Sequence, residues 1–274
     1  MANMCLDYTT ISDFLICRQK YYLRHRLNLV PKQTATALTF GGAWHKTMES
    51  VWTEKGKGEE TLIKEYGKVE VPLGDKRTLE LGKKVLENYL KEKGYNGHEF
   101  YPNMEVIGSE VSHCKEFDGV RYCGRMDKVV RWDGSIYVVE HKTASQLGFT
   151  FFLQFELNHQ IDGYIYLCAD KYGECAGVLV DAVLIAKTKF NAMRDTPTRM
   201  PGHAERFEAE LVDIARNIRW ANDNESYPKN KSLCQYYGEC PYRDLCLYHG
   251  DKRVIEARYK KSVWDAKMGK EVVG

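Results

Sequence analysis

The sequence predicts an α/β fold, with a central mixed β-sheet flanked by helices and helical arms at both ends. Three observations carry this expectation. Three segments of helical periodicity precede residue 95. Three strand-like runs joined by Asp-Gly dipeptides follow between residues 104 and 143. A helix, a strand and a helix then alternate up to residue 223.

The first helix is expected in "TTISDFLICRQKYYLRHRL", capped by Thr10 or Ser12, with Phe14, Cys17, Tyr21 and Leu23 near helical spacing. "TFGGAWHKTMESVWTEKG" reads as a second helix starting at Gly41-Gly42. "KRTLELGKKVLENYLKEKG" reads as a third, amphipathic and stopped by Gly94. "MEVIGSEVSHC", "VRYCGRMDKVVRW" and "SIYVVEHKT" follow as a meander. Asp118-Gly119 and Asp133-Gly134 supply the turns that tight hairpins favour. A long helix over about 151–172, a strand in "GVLVDAVLIAKTK" and a helix in "HAERFEAELVDIARNIRWAND" complete the pattern.

Apolar residues make up 43% of the chain and charged residues 28%, which excludes a disordered chain. Forty basic residues nearly balance 38 acidic ones, so any phosphate binding falls to a local basic surface. The start "MANMCLDYTT" lacks the pattern of a secretory signal, and no apolar run could span a bilayer. These features point to a cytoplasmic protein with no membrane partner, whose nine cysteines serve as free thiols or metal ligands.

"GRMDKVVRWDGSIYVVEHKTA" holds the chemistry. Asp127 and Glu140 stand at the ends of strands expected to pair antiparallel, which brings two carboxylates together. They repel unless a cation lies between them, and oxygen ligands favour Mg²⁺ or Mn²⁺. Lys142 shares a strand face with Glu140. A metal, two acids and a lysine suit phosphodiester hydrolysis. The alternative is a pair of ordinary strand-end acids with Lys142 bound to one of them.

"GRMD" followed by "VVEHKTA" resembles the PD-(D/E)XK nuclease superfamily, in particular its RecB-like branch. That branch also carries a G-x-x-x-H helix upstream and a Q-x-x-x-Y helix downstream. "GGAWH" supplies Gly41 and His45, and "QIDGY" supplies Gln160 and Tyr164. The resemblance implies a restriction-endonuclease-like core over about 41–190, within a single domain whose arms span 1–40 and 191–274. It implies a metal held by His45, Asp127, Glu140 and the His141 carbonyl, with Lys142 as the catalytic lysine. Gln160 and Tyr164 would position a DNA strand. The implied activity is that of an exonuclease on single-stranded DNA or duplex ends, with a replication or recombination protein as a possible partner. The implied setting is a bacterial or phage-infected cell. A non-catalytic DNA-binding relative and an RNA-directed nuclease are the alternatives. Glu110 is a further acid considered for the site.

Cys234, Cys240 and Cys246, with five residues between neighbours, call for a shared metal or cluster. Some RecB-like nucleases place one cysteine before the core and three after it. By that resemblance Cys17 becomes the fourth ligand of a [4Fe–4S] cluster, and "CPYRDLC" matches the family's last two cysteines. The family more often has two residues between its first two C-terminal cysteines, and Pro where this chain has Arg18. Structural Zn²⁺ is the alternative, with His249 able to replace a cysteine. Cys5, Cys114, Cys123, Cys168 and Cys175 read as small core residues. "CRQKYYLRHRL" mixes bases with Tyr21 and Tyr22, which suits a single strand of nucleic acid or, equally, a solvated helix face.

Overall fold

A computed structural model describes residues 4–53, 57–92, 104–234 and 239–272. In chain order these form β1 (Met4–Leu6), α1 (Tyr8–Ile16), α2 (Arg18–Tyr21), a π-helical turn (Tyr22–Arg26), β2 (Leu29–Pro31), α3 (Thr36–Thr53), α4 (Gly58–Tyr66) and α5 (Leu79–Glu92). Then come β3 (Met104–Phe117), β4 (Val120–Trp132), β5 (Ser135–Ala144), α6 (Phe149–Phe152), α7 (His159–Tyr172), β6 (Gly177–Leu184), β7 (Ala192–Asp195) and α8 (His203–Asp223). Strand β8 (Tyr259–Lys261) follows two short helices. The main sheet has the order β1–β4–β5–β6–β7, with β3 also paired to β4. It is mixed: β1–β4 and β5–β6 are parallel, while β4–β5 and β6–β7 are antiparallel.

The meander forms as its turns dictate. Asp118 and Gly119 have φ of 43° and 70°, and Asp133 and Gly134 have 46° and 86°. Two successive left-handed residues match the twist of the strands they join. The helices depart from expectation in four places. The cap of α1 is Asp7, whose Oδ1 accepts from the Thr10 N–H at 2.8 Å. Extended backbone at Cys17 breaks the first helix. Helix α3 starts five residues before Gly41, so the glycines lie inside it. The long helix over 151–172 is two pieces, because Asn158 caps α7 afresh. Gly94 lies outside the described residues.

The described residues fall into two compact units. One comprises Ala35–Val111 and Met126–His203. Within it the sheet is covered on both faces. Phe40, Trp44 and Met48 of α3 bury with Leu62 and Tyr66 of α4, Val85 and Leu86 of α5, and Val183 of β6. Ile161, Ile165 and Cys168 of α7 bury with Val138 of β5 and Val178 and Val180 of β6. Strand β6 is buried along its whole length, as a central strand covered on both faces must be. This is the mixed sheet and helical cover of a restriction-endonuclease-like core.

The other unit draws on Met1–Thr34, Ser112–Arg125 and Ala204–Gly274. Direct contacts hold the two chain ends together. Strand β2 pairs antiparallel with β8, the Tyr242 hydroxyl donates to the Leu29 carbonyl at 2.8 Å, and Asn230 Nδ2 donates to the Ile16 carbonyl at 3.0 Å.

The expectation of a cysteine-ligated cluster is corrected here. Among the described residues, no group of three or more ligand atoms that converges for a metal includes Cys17, Cys234, Cys240 or Cys246. The four remain free thiols. Cys17 Sγ accepts from the Asn230 N–H at 3.3 Å, and Cys234 Sγ donates to the Asn230 carbonyl at 3.8 Å. Burial raises the pKa of Cys240 and Cys246. The cysteines that do join are Cys114 and Cys123, as a disulfide across the β3–β4 hairpin. Neither the [4Fe–4S] cluster nor the Zn²⁺ alternative is therefore retained.

Most of the bases in "CRQKYYLRHRL" are committed inside this unit. Buried Asp13 takes Lys20 at 2.6 Å, Arg24 at 3.1 Å and His25 at 2.9 Å. Burial pushes the Asp13 carboxyl up, but the His25 hydrogen bond and the Lys20 and Arg24 charges outweigh it and hold it at about 2. A depressed carboxylate gives stability that is present above its unfolded pKa and lost as pH falls through the folded value. Asp13→Asn is expected to cost about 2 kcal/mol at neutral pH. It should also flatten the fall in stability between roughly pH 4 and pH 2, as read by urea unfolding across that range.

Candidate metal centre

Helix α3 presents His45 beside buried Ala43 and Trp44, whose packing fixes the helix. A Cβ at Gly41 would sit 3.7 Å from Thr143 Oγ1, and one at Gly42 would meet open space, so neither glycine is needed for close approach. The β4–β5 register pairs Lys128 with Val139, and one step further sets Asp127 against Glu140. Asp127 lies in the middle of a 13-residue strand, not near its start. His45 Nδ1 lies 2.9 Å from Asp127 Oδ2. One ligand atom each from His45, Asp127 and Glu140 falls within 4.8 Å of the others. The spatial meeting of an early helix and two strands, expected from sequence, is present.

Lys142 Nζ bonds Glu140 Oε1 and donates to Gln160 Oε1 at 3.2 Å. Gln160 Nε2 donates to Glu140 Oε1 at 3.0 Å and to the Tyr164 hydroxyl at 2.9 Å. The Asn158 cap, accepting from the Gln160 N–H at 2.9 Å, orients the first turn of α7 for this reach. Glu110 stays outside the converging set. It has a φ of 51° within β3, and its carboxylate lies 3.7 Å from Lys46.

The electrostatics suit a cation. Burial, then the neighbouring Asp127 carboxylate, raises the Glu140 pKa. Burial also pushes Asp127 up, but His45 and its hydrogen bond reverse this and hold the carboxyl well below the usual range. Burial opposes charge on His45, yet Asp127 leaves its pKa raised. Glu140 Oε2 is buried without a hydrogen-bond partner. An orphaned buried carboxylate oxygen is costly, and a hard divalent cation beside it would remove that cost. The donor set of one imidazole and two carboxylates therefore fits Mg²⁺ or Mn²⁺.

His141 divides its roles. Its N–H donates to Asp127 Oδ2 at 3.1 Å, while its ring turns to the other face of β5. There it enters a buried network absent from the sequence reading. His141 Nδ1 lies 3.1 Å from Asp181 Oδ2 and Nε2 lies 2.9 Å from Lys128 Nζ. Asp181 also takes the Tyr89 hydroxyl at 2.5 Å and Arg194 Nε at 2.6 Å. Burial and the Lys128 charge lower the His141 pKa to about 4, so the ring is neutral, protonated on Nδ1 and accepting on Nε2. Burial also lowers Lys128, to about 8. The legible signal was a polar residue inside each apolar run, Lys128 in "DKVV" and Asp181 in "VDAV".

A sequence profile of the PD-(D/E)XK nuclease superfamily matches residues 6–247. The chain belongs to that superfamily. The crystal structure of a candidate exonuclease from Eubacterium rectale, solved at 2.19 Å, superposes with a TM-score of 0.56 at 12% identity. The match covers 90% of this chain and 94% of that one, and at this identity it shows a shared fold alone. The crystal structure of SSO0001 matches at a TM-score of 0.33 and 12% identity over 87% of this chain and 94% of the other, too low to carry an argument. No curated protein matches in sequence. Membership and the His45–Asp127–Glu140 set agree with a metal-dependent nuclease acting on DNA. Among the described residues, no helix is long and apolar enough to cross a membrane.

Proposed function

We propose that this chain is a RecB-like, Mg²⁺- or Mn²⁺-dependent deoxyribonuclease that acts as an exonuclease on single strands or duplex ends. The observation that carries the reading is the convergence of His45, Asp127 and Glu140 beside Lys142. These three side chains, with the His141 carbonyl, would hold the cation. When bound, it supplies Lewis-acid stabilisation of charge on the scissile phosphate. Lys142 orients the attacking water and offsets the charge that develops as water oxygen bonds to phosphorus and the 3′ oxygen leaves. Gln160 fixes the Lys142 ammonium, and Gln160 and Tyr164 together offer an amide and a phenol to the adjoining strand. Recombination, repair or replication inside a bacterial or phage-infected cell is the corresponding setting, with a protein of that machinery as partner.

The test uses end-labelled single-stranded DNA, duplex DNA and a matched RNA strand, each with Mg²⁺, Mn²⁺ or EDTA. Metal-dependent release of short products from DNA ends is expected. Glu140→Gln should lose both cleavage and calorimetric Mn²⁺ binding while keeping its circular dichroism. Undiminished cleavage by that variant rejects the site, and cleavage of RNA alone rejects the substrate.

A further inference from the structure

We propose that the unit built from the chain ends holds a stacking subsite for one unpaired nucleobase of a single strand, formed by Tyr22 and Tyr227 with Arg26 at its rim. A pocket of about 450 Å³ opens there, lined by Gln19, Tyr22, Arg26, Asn222, Glu225 and Tyr227 among others. That volume is within the range of small-molecule sites. The Tyr22 and Tyr227 rings stack with centroids 4.5 Å apart and planes at 26°. Both are half-buried: Tyr22 also packs against the cluster of Leu23, Leu29 and Tyr242, and Tyr227 lies 6.4 Å from the Tyr21 ring, so the part of each ring that lines the pocket is what a base would meet. The Tyr227 hydroxyl donates to Asn222 Oδ1 at 2.9 Å, away from the stacked faces that a base would use.

The rest of the basic, aromatic run is already engaged. Tyr21 is buried edge-on against Phe14, and Lys20, Arg24 and His25 serve Asp13. Arg18 lies over the Phe14 ring at 5.0 Å. Arg26 is exposed and forms no ion pair among the described residues. Tyr22 and Arg26 are the two ends of the π-helical turn, closed by the Leu27 N–H on the Tyr22 carbonyl at 2.9 Å. Such wide turns recur at functional sites. A free cation at the rim and paired rings within suit a strand whose phosphate meets Arg26 and whose base enters. The Glu225 carboxylate in the lining disfavours a phosphate inside the pocket and leaves a base as the occupant. Only an unpaired, unstacked base has a face to offer, so duplex DNA is excluded.

This subsite rests on the nucleic-acid reading proposed above, and its test is separable from it. Binding of a fluorescein-labelled single-stranded oligodeoxynucleotide is read by anisotropy in EDTA, where no metal-dependent cleavage occurs. Tyr227→Ala is expected to weaken binding by about fivefold or more, the lower end of stacking losses. Tyr227→Phe should bind as the wild type, since the stack does not need the hydroxyl. Arg26→Ala should weaken binding and reduce its salt dependence. An oligonucleotide carrying 5-iododeoxyuridine should photocrosslink to the peptide containing Tyr22 or Tyr227. Wild-type affinity in Tyr227→Ala overturns the subsite, as do equal losses in Tyr227→Ala and Tyr227→Phe. Crosslinks confined to other peptides also overturn it, a result that stands even if the alanine variant does not fold. Metal-dependent cleavage together with unaltered binding in Tyr227→Ala sinks the subsite alone. Weakened binding in that variant without cleavage by the wild type sinks the nuclease reading alone.

Discussion

Lys142→Ala is expected to lower metal-dependent cleavage by about 10²–10³-fold, the loss typical of removing one preorganised charge-stabilising donor. The ammonium bonds Glu140 Oε1 and Gln160 Oε1, so its loss also acts on the metal site. Glu140 already has a raised pKa, from burial first and then from Asp127, with Lys142 opposing both. Without Lys142 that carboxyl rises further. Cation binding needs it ionised, so at limiting metal wild-type activity should fall as pH drops through the raised Glu140 pKa. In the variant the same fall should appear at higher pH, and the metal concentration for half-maximal rate should increase. Rates measured against pH at saturating and limiting Mn²⁺ separate the two contributions. A variant with lower rate, unchanged metal requirement and an unmoved pH profile would confine Lys142 to the chemical step.

The residues of this site were legible because their spacing is itself physical. Alternation along β5 puts Glu140 and Lys142 on one face, and helical spacing puts Gln160 and Tyr164 on another. The Asp133-Gly134 turn fixes the register that meets Asp127 with Glu140. The same logic applied to Asp118-Gly119 would have found the disulfide. Cys114 lies four residues before that turn and Cys123 four after it, so the hairpin sets them opposite each other. Spacing could not fix the positions of Cys17, Cys234, Cys240 and Cys246, because no regular element joins all four. The cap at Asp7 was missed for a related reason. Four residues of capping type, Asp7, Thr9, Thr10 and Ser12, crowd the start of α1, and Asp7 is the one that has extended backbone and accepts the Thr10 N–H, while its Oδ2 takes the Trp264 indole N–H at 2.9 Å.

Asp181→Ala should strongly destabilise the unit that carries the candidate metal centre. Asp181 is 2% exposed and accepts from Tyr89 and His141 while pairing with Arg194. Alanine leaves a guanidinium, a hydroxyl and a ring N–H buried without their acceptor, a class of loss that costs about 3–5 kcal/mol. Burial pushes the Asp181 carboxyl up, but the Arg194 charge and the His141 hydrogen bond hold it well below the usual range. Its contribution is therefore complete above the unfolded carboxylate pKa and is lost as the medium turns more acid than that value. Asp181→Asn keeps the shape and some of the hydrogen bonds, so it should fall between wild type and alanine and show a shallower acid limb. Urea unfolding at neutral and acid pH reads both effects. The consequence reaches the metal centre through one residue. His141 lies between Glu140 and Lys142, and its N–H holds Asp127 at 3.1 Å. A ring released from Asp181 frees that backbone to shift, and Asp181→Asn should bind Mn²⁺ more weakly although it touches none of the three ligands. Wild-type Mn²⁺ affinity in a folded Asp181→Asn protein would show that the ring can loosen without disturbing the strand that carries Glu140.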